Sequence, residues 1–441
     1  MSDYEFNVIL DGAYPYVPFA GKRKSNYIDF PNTNWDPALG QRALEDQLEL
    51  LAQLEDLGFD GGVVSEQHNG PIGQLGNPML AGAWLAARTR RLRIGVVGSI
   101  INSYRTPVRL AEEIAALDIM SRGRLFFGLP MGHGMQHHST GVMNPAKTRA
   151  RFREAHDLLV AALTQPGPFE WKGEWFNIPY VNLWPRPLQT PRPPIWVPGG
   201  GSLETLELVA KHRYTYLGVL SPKPAMLKTM EKLRELCREQ GYEADPKQLV
   251  RGVSIHVAES DAQARREAEA HELWQYQNFF HSPQHDNFPP GYISADSLRR
   301  AMAGGYRSKP LSQLTFDDLV ENGWVIAGSP ETVASKLQET LEETGAGSVL
   351  LGVNSGSKPR WMTQKTLTMF AEEVIPRLRP GGRAPSQDAK LAGWETNAEF
   401  GAMRPVDYQV PEATFGDGLV DVLTAHVEEL REIIEPWPPQ D

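Results

Sequence analysis

Three short stretches carry residues whose type and spacing suit chemistry. In Val197-Pro-Gly-Gly-Gly-Ser202 a run of glycines ends an apolar segment, and Leu203, Leu206, Val209 and Ala210 behind it recur at helical spacing. Glycines let a backbone approach a ligand, and the first N–H groups of a helix point outward unpaired, so a phosphate suits that place. Ser202 and Thr205 add hydroxyl donors on the first turn, although Ser202 is equally suited to a plain helix cap. In Ser65-Glu-Gln-His-Asn69, Glu66 and His68 alternate along an extended chain and so share a side. An imidazole there can give or take a proton near neutral pH; a surface loop with satisfied Glu and His is the other reading. In MGHGMQHHS, His133 and His137 stand four apart with His138 beside them, the spacing of a metal pair on a helix. Gly132 and Gly134 oppose a helix and no Glu separates the histidines, so no metal site is assigned; a ligand-lining or a solvated loop fits.

These stretches need a scaffold that brings distant segments together. Short apolar runs recur at 6–10 (FNVIL), 61–65, 92–101, 124–129, 194–197, 216–220, 250–257 and 347–353, most of them followed by a helix-period segment. Leu44, Leu48, Leu51, Leu54 and Leu57 mark the first helix; others run from about Met79 to Arg88, from Thr106-Pro107 through Leu110, Ile114, Leu117 and Met120, and from Pro145 to Leu163. Eight such units predict an α/β (β/α)8 TIM barrel, with parallel strands buried on both faces and catalytic side chains at the strands' C-terminal ends. No GxGxxG follows the first strand, which opposes a dinucleotide-binding sheet. Residues 1–380 make up the barrel, with an aromatic, polar insertion at about 275–322 near the C-terminal strands; Phe279, Phe280 and His281 mark it as a lid. Residues 381–441 form a Pro/Gly-rich C-terminal extension ending in an amphipathic helix at about 419–434.

Composition narrows the partners. The 441 residues are 41% hydrophobic and 22% charged, ample for a large core, and 40 Gly with 35 Pro suit many tight connections. A net charge of −10 is poorly suited to nucleic acid or anionic lipid, and the basic run Arg88 to Arg93 reads as a solvated loop before a strand. Cys237 is the single cysteine, so no internal disulfide or multi-cysteine metal site forms. No run approaches the ~18 apolar residues of a membrane span, and no signal sequence opens the chain; a soluble, cytoplasmic protein is expected. Arg109, Glu112, Glu113 and Asp118 read as a structural ion-pair network, and the lack of GxSxG disfavours a hydrolase.

The stretch Thr106-Pro-Val-Arg-Leu-Ala-Glu-Glu-Ile-Ala-Ala-Leu-Asp-Ile-Met-Ser-Arg-Gly-Arg-Leu-Phe-Phe-Gly128 resembles the signature of the bacterial luciferase-like flavin monooxygenases. SEQHN resembles that family's E-H-H motif, PGGGSLET its phosphate-binding turn and Ala371-Glu-Glu-Val-Ile-Pro376 its closing helix, in order over about residues 5 to 380. The resemblance implies reduced FMN at the barrel mouth, supplied by a separate NAD(P)H:flavin reductase, and O₂ activation through a C4a-(hydro)peroxyflavin to oxygenate a small organic substrate. It assigns Ser202, Thr205, Gly200, Gly201 and Arg149 to the flavin phosphate. It places Gly98 and Ser99 under the isoalloxazine, where relatives often carry a non-prolyl cis peptide. Glu66 and His68 match the first and third positions of E-H-H, with His68 the candidate proton donor. Gln67 replaces the middle His, which speaks against light emission. Met131, beside Gly132, stands where the luciferase α subunit has a phosphate-binding Arg, so the phosphate grip differs. A homo-oligomer, in the first place a dimer, is expected. A deazaflavin-dependent hydride-transfer enzyme and a non-catalytic flavin-binding protein of the same fold are the alternatives. A metal-dependent hydrolase using His133, His137 and His138 is the most distant one.

Overall fold

The computed structural model describes residues 4–17, 30–132, 144–280 and 313–380, together with Gln136 and isolated positions between 282 and 299. Its strands are β1 (Glu5–Ile9), β2 (Gly61–Val64), β3 (Arg93–Val96), β4 (Leu125–Gly128), β5 (Phe169–Lys172), β6 (Asn177–Val181), β7 (Ile195–Gly199), β8 (Thr215–Gly218), β9 (Leu249–Val257), β10 (Val325–Gly328) and β11 (Ser348–Gly352). Eight of them close a parallel ring in the order β1-β2-β3-β4-β7-β8-β9-β11 and back to β1. These are the eight apolar runs of the sequence, and the (β/α)8 barrel stands as expected.

Three strands lie outside the ring and were not foreseen. β5 and β6 form an antiparallel hairpin in the Trp- and Pro-rich connection. Glu154 pins it by accepting from Trp171 Nε1 and the N–H groups of Trp175 and Phe176. β10 pairs with the upper half of β9 (Val325↔Ser254 to Gly328↔Val257), while β11 takes Val250–Ser254. A nine-residue β9 thus overshoots the barrel rim and carries the following segment above the mouth. The run at 92–101 is also shorter as a strand than predicted: it stops at Val96, because the chain then leaves the sheet for a 3₁₀ turn at Ile101–Ser103.

The helices α1 (Pro37–Gln53), α2 (Pro78–Arg88), α3 (Pro107–Met120) and α4 (Pro145–Thr164) share one start signal. Asp36, Asn77, Thr106 and Asn144 cap them through side-chain oxygens, each followed by Pro at the first helical position. There the missing N–H costs nothing and φ is already helical. α5 (Leu203–His212), α6 (Lys223–Glu239) and α7 (Asp261–Trp274) follow β7, β8 and β9.

Alternation along the strands separates two cores. Phe6, Val8 and Leu10 face the helices in one large cluster. Val63, Val97, Phe126, Trp196, Leu217, Val250 and Leu350 fill the barrel, with Ile9 and Val219 at its edge. Below them Arg93 pairs with Glu5 at 3.1 Å and lies 4.8 Å over the Phe126 ring. The rest of the basic run is spent at home as well. Arg88 pairs with Glu49, and Glu55 accepts from the backbone of Arg90, Arg91 and Leu92. On α3, Arg109 bridges Glu112 and Glu113, and the buried Asp118 accepts from Gln189. The predicted ion-pair network thus forms among Arg109, Glu112 and Glu113, while Asp118 stands apart from it on a neutral partner. No described helix is long and apolar enough to cross a membrane.

Candidate active site

The strand ends β2 and β3 carry the first group. Glu66 is 4% exposed, and its Oε1 lies 2.6 Å from His68 Nε2. Its Oε2 accepts from the Ile100 N–H at 2.9 Å, and its own N–H donates to Gly98 O. One carboxyl therefore ties two strand ends together and orients a histidine. Because both carboxylate oxygens accept, the ring presents Nε2–H to Glu66, leaving Nδ1 on the side of Gly76. His68 remains a fifth exposed at its side chain. The sequence-predicted pair is thus brought together.

The Val97–Gly98 peptide beside them is cis and non-prolyl, as the resemblance anticipated at this strand end. A Cβ on Gly98 would stand 2.5 Å from Gly128 O and from Pro130 Cδ, so β3 and β4 meet there only because the side chain is missing. Ser99 is fully buried. Gly132 holds φ +80° and lies against Ile100, which links the loop after β4 to the Glu66 anchor; Met131 is half-buried against the outer core.

Across the mouth lies the turn between β7 and α5. Tyr216 donates to Gly199 O at 2.7 Å, and Gly201, at φ +91°, lies where a Cβ would sit 2.5 Å from Thr229 Oγ1. Gly200 is different: among the described residues a Cβ there would find only Ser221 Oγ, at 3.9 Å, which leaves room on that side of the turn. Ser202 caps α5 by accepting from Thr205 N–H, and the two hydroxyls lie 2.8 Å apart. The capping reading of Ser202 is thus the one the geometry shows, with its hydroxyl at the start of the helix. Glu204 on the same turn accepts from Ser294 Oγ at 2.8 Å.

The insertion reaches this region. Tyr292 is buried and donates to the Gly132 carbonyl, and Arg149 on α4 lies close enough to act electrostatically on its phenol, which burial pushes well up. Tyr292 and Ser294 thus run from Gly132 and Arg149 to the start of α5. The insertion begins as a π-helical turn, Gln275–Phe279, that continues α7. Phe279 packs with Ala13 and Ile72 from the loops after β1 and β2, with Phe280 and Trp274 beside it. Glu272 and Lys358, both buried and 2.8 Å apart, pin α7 to the loop after β11. His133, His137, His138, His281 and the extension 381–441 lie outside the described residues, and among the described residues no cluster of three metal-ligating side chains forms.

Sequence reasoning passed over Tyr292, the Glu272–Lys358 pair and Asp11. Only the last left a local signal: in EFNVILD the residues Glu5, Asn7, Ile9 and Asp11 alternate with Phe6, Val8 and Leu10, so Asp11 continues the barrel's inner face. Asp11 Oδ1 accepts from Ser65 N–H at 3.1 Å and Ser65 Oγ at 2.8 Å.

Known proteins resemble this chain in sequence and fold. Limonene 1,2-monooxygenase of Rhodococcus erythropolis is 24% identical over 352 residues, covering 76% of this chain and 81% of that protein. The oxygenating constituent of 3,6-diketocamphane monooxygenase from Pseudomonas putida, solved with FMN, superposes with a TM-score of 0.62 at 19% identity, covering 85% of this chain and 99% of that one. The coenzyme F420-dependent tetrahydromethanopterin reductase of Methanopyrus kandleri gives 0.57 at 18% identity, with 85% and 99% covered. These superpositions speak to the fold. The family model for luciferase-like monooxygenases matches residues 28–348, most of the chain, from ahead of α1 to the start of β11, and this protein belongs to that family.

Proposed function

We propose that the chain is the oxygenase of a two-component system that takes reduced FMN from a separate NAD(P)H:flavin reductase and uses O₂ to oxygenate a small organic substrate. The observation that carries this reading is the meeting, in one barrel mouth, of the Glu66–His68 pair with an open Gly/Ser/Thr turn at a helix start.

The residues present fit the cofactor. Gly200 leaves space beside the turn, and the hydroxyls of Ser202 and Thr205 stand at the first turn of a ten-residue helix whose N–H groups favour an anion. Arg149 supplies a cation from α4, while Met131 contributes no charge, so the phosphate would be held by hydroxyls, backbone and one arginine. Gly98 lets β3 lie flat against β4 where a planar ring would rest. When bound and reduced, FMN supplies the electrons that activate O₂. The chain's own part is positional. Glu66 fixes the ring and tautomer of His68, and His68 Nδ1 holds or moves a proton at the mouth. Phe279, Phe280 and Ile72 shield that mouth, and excluding water protects reactive oxygen species from wasteful breakdown.

The test is to incubate the full chain with FMN, a flavin reductase, NADH and isotopically labelled O₂ across a panel of apolar substrates. Label in an organic product supports the reading. Tight binding of coenzyme F420 with hydride transfer and no O₂ uptake would replace it with the reductase chemistry found elsewhere on this fold.

A further inference from the structure

The floor of the mouth is set by register. β1 and β2 pair Ile9 with Val63, and β1 and β11 pair Ile9 with Gly352. Two residues further along, on the same inward face, come Asp11, Ser65 and Asn354. Asp11 therefore ends the barrel's interior on the side opposite the Gly199–Ser202 turn, flanked by two neutral polar residues.

Its hydrogen bonding is one-sided. Both donors of Ser65 converge on Oδ1, Gln67 Nε2 donates in turn to Ser65 Oγ, and Asn354 spends its own oxygen on the Gly356 N–H. No cation reaches the carboxyl among the described residues. The titratable groups on the elements packed around it are Glu66 and His68, which pair with each other, and Lys358, which pairs with Glu272. Among the described residues the two donors sit on Oδ1, which leaves Oδ2 to carry the proton of a neutral acid and donate it. Burial, opposed by the Ser65 hydrogen bonds, pushes the Asp11 carboxyl above the usual carboxylate range, which favours the same form. The wall above is apolar, made by Ala13, Ile72 and Phe279.

We infer that Asp11 recognises the substrate: its Oδ2 hydroxyl donates a hydrogen bond to a carbonyl oxygen of an otherwise apolar molecule seated under Phe279. The assignment rests on the oxygenase reading and names its substrate class. A hydrogen bond in a dry site separates a ketone from its parent hydrocarbon by about tenfold.

The test uses the full chain without turnover, following tryptophan fluorescence as camphor, camphane, cyclohexanone and cyclohexane are added. The wild type should bind each ketone about tenfold tighter than its hydrocarbon. Asp11→Leu should erase the difference, and Asp11→Asn, which keeps an N–H donor, should retain most of it. Raising the pH should erase the wild-type preference and leave that of Asp11→Asn unchanged; FMN affinity should be the same in all three proteins. Hydrocarbons bound as well as ketones, no ketone binding at all, a preference that survives Asp11→Leu, or FMN affinity lost with Asp11 would each overturn the assignment. Should Asp11→Leu fail to fold, the Asn variant and the pH series decide. Ketone preference without labelled product would remove the oxygenase reading and leave Asp11 standing; labelled product without ketone preference would do the reverse.

Discussion

Replacing Glu66 with Gln isolates what the carboxylate does for His68. The side chain keeps its shape, so a buried site suffers little packing change. It loses one of two acceptors, however, and the Ile100 N–H, 2.9 Å away, needs the remaining oxygen. The amide nitrogen must then face His68 Nε2 at the former 2.6 Å contact and donate to it. That moves the imidazole proton to Nδ1, on the side of Gly76. Trading two charge-assisted hydrogen bonds for neutral ones costs about 1–2 kcal/mol, which urea unfolding resolves. The wrong tautomer at the mouth costs about 100-fold if His68 acts as a proton carrier. In the reductase-coupled assay, product per NADH should collapse and free peroxide should rise while FMN affinity holds. Glu66→Ala, which also orphans the Ile100 N–H, should destabilise by about 3 kcal/mol. Wild-type coupling in Glu66→Gln, accompanied by the expected loss of stability, would show that the pair only ties β2 to β3, and the proton-carrier role would be refuted.

Further outcomes follow from other contacts. Ser202→Ala combined with Thr205→Ala should weaken FMN yet leave riboflavin binding nearly unchanged in parallel titrations, because only the phosphate uses those hydroxyls. Gly98→Ala should cost at least about 1–3 kcal/mol in urea unfolding and abolish flavin binding, since its Cβ meets backbone at 2.5 Å rather than a flexible side-chain end. His256 is fully buried, and burial reinforced by the Lys358 charge pulls its imidazole down to about 4. The unfolded chain titrates near 6.5, so the stability carried by neutral His256 is complete above that pH and is lost as pH falls from 6.5 towards 4. The loss is on the order of 3 kcal/mol, and His256→Gln should flatten this part of the stability–pH curve.

How much of this was written in local sequence is seen by comparing particular residues. Each barrel strand announced itself because burial on both faces demands a continuous apolar run, and the helix starts because Asp36, Asn77, Thr106 and Asn144 each precede a proline. The Gly199–Ser202 turn and the Glu66–His68 pair were legible too, since each lies within a few consecutive residues. β10 was not: its four residues VIAG are a short run just past the insertion, and it forms a strand only because β9 overshoots the rim and offers an unpaired edge. Nor could sequence show that Tyr292 meets Gly132, 160 residues away, or that Glu272 meets Lys358, 86 away. Such partners share no periodicity; they are chosen by which loops the closed ring places side by side. Asp11 stands between the two cases. The alternation of EFNVILD gives its facing, but what its carboxyl meets depends on Ser65 and the neighbouring strand ends, which only the closed ring brings beside it.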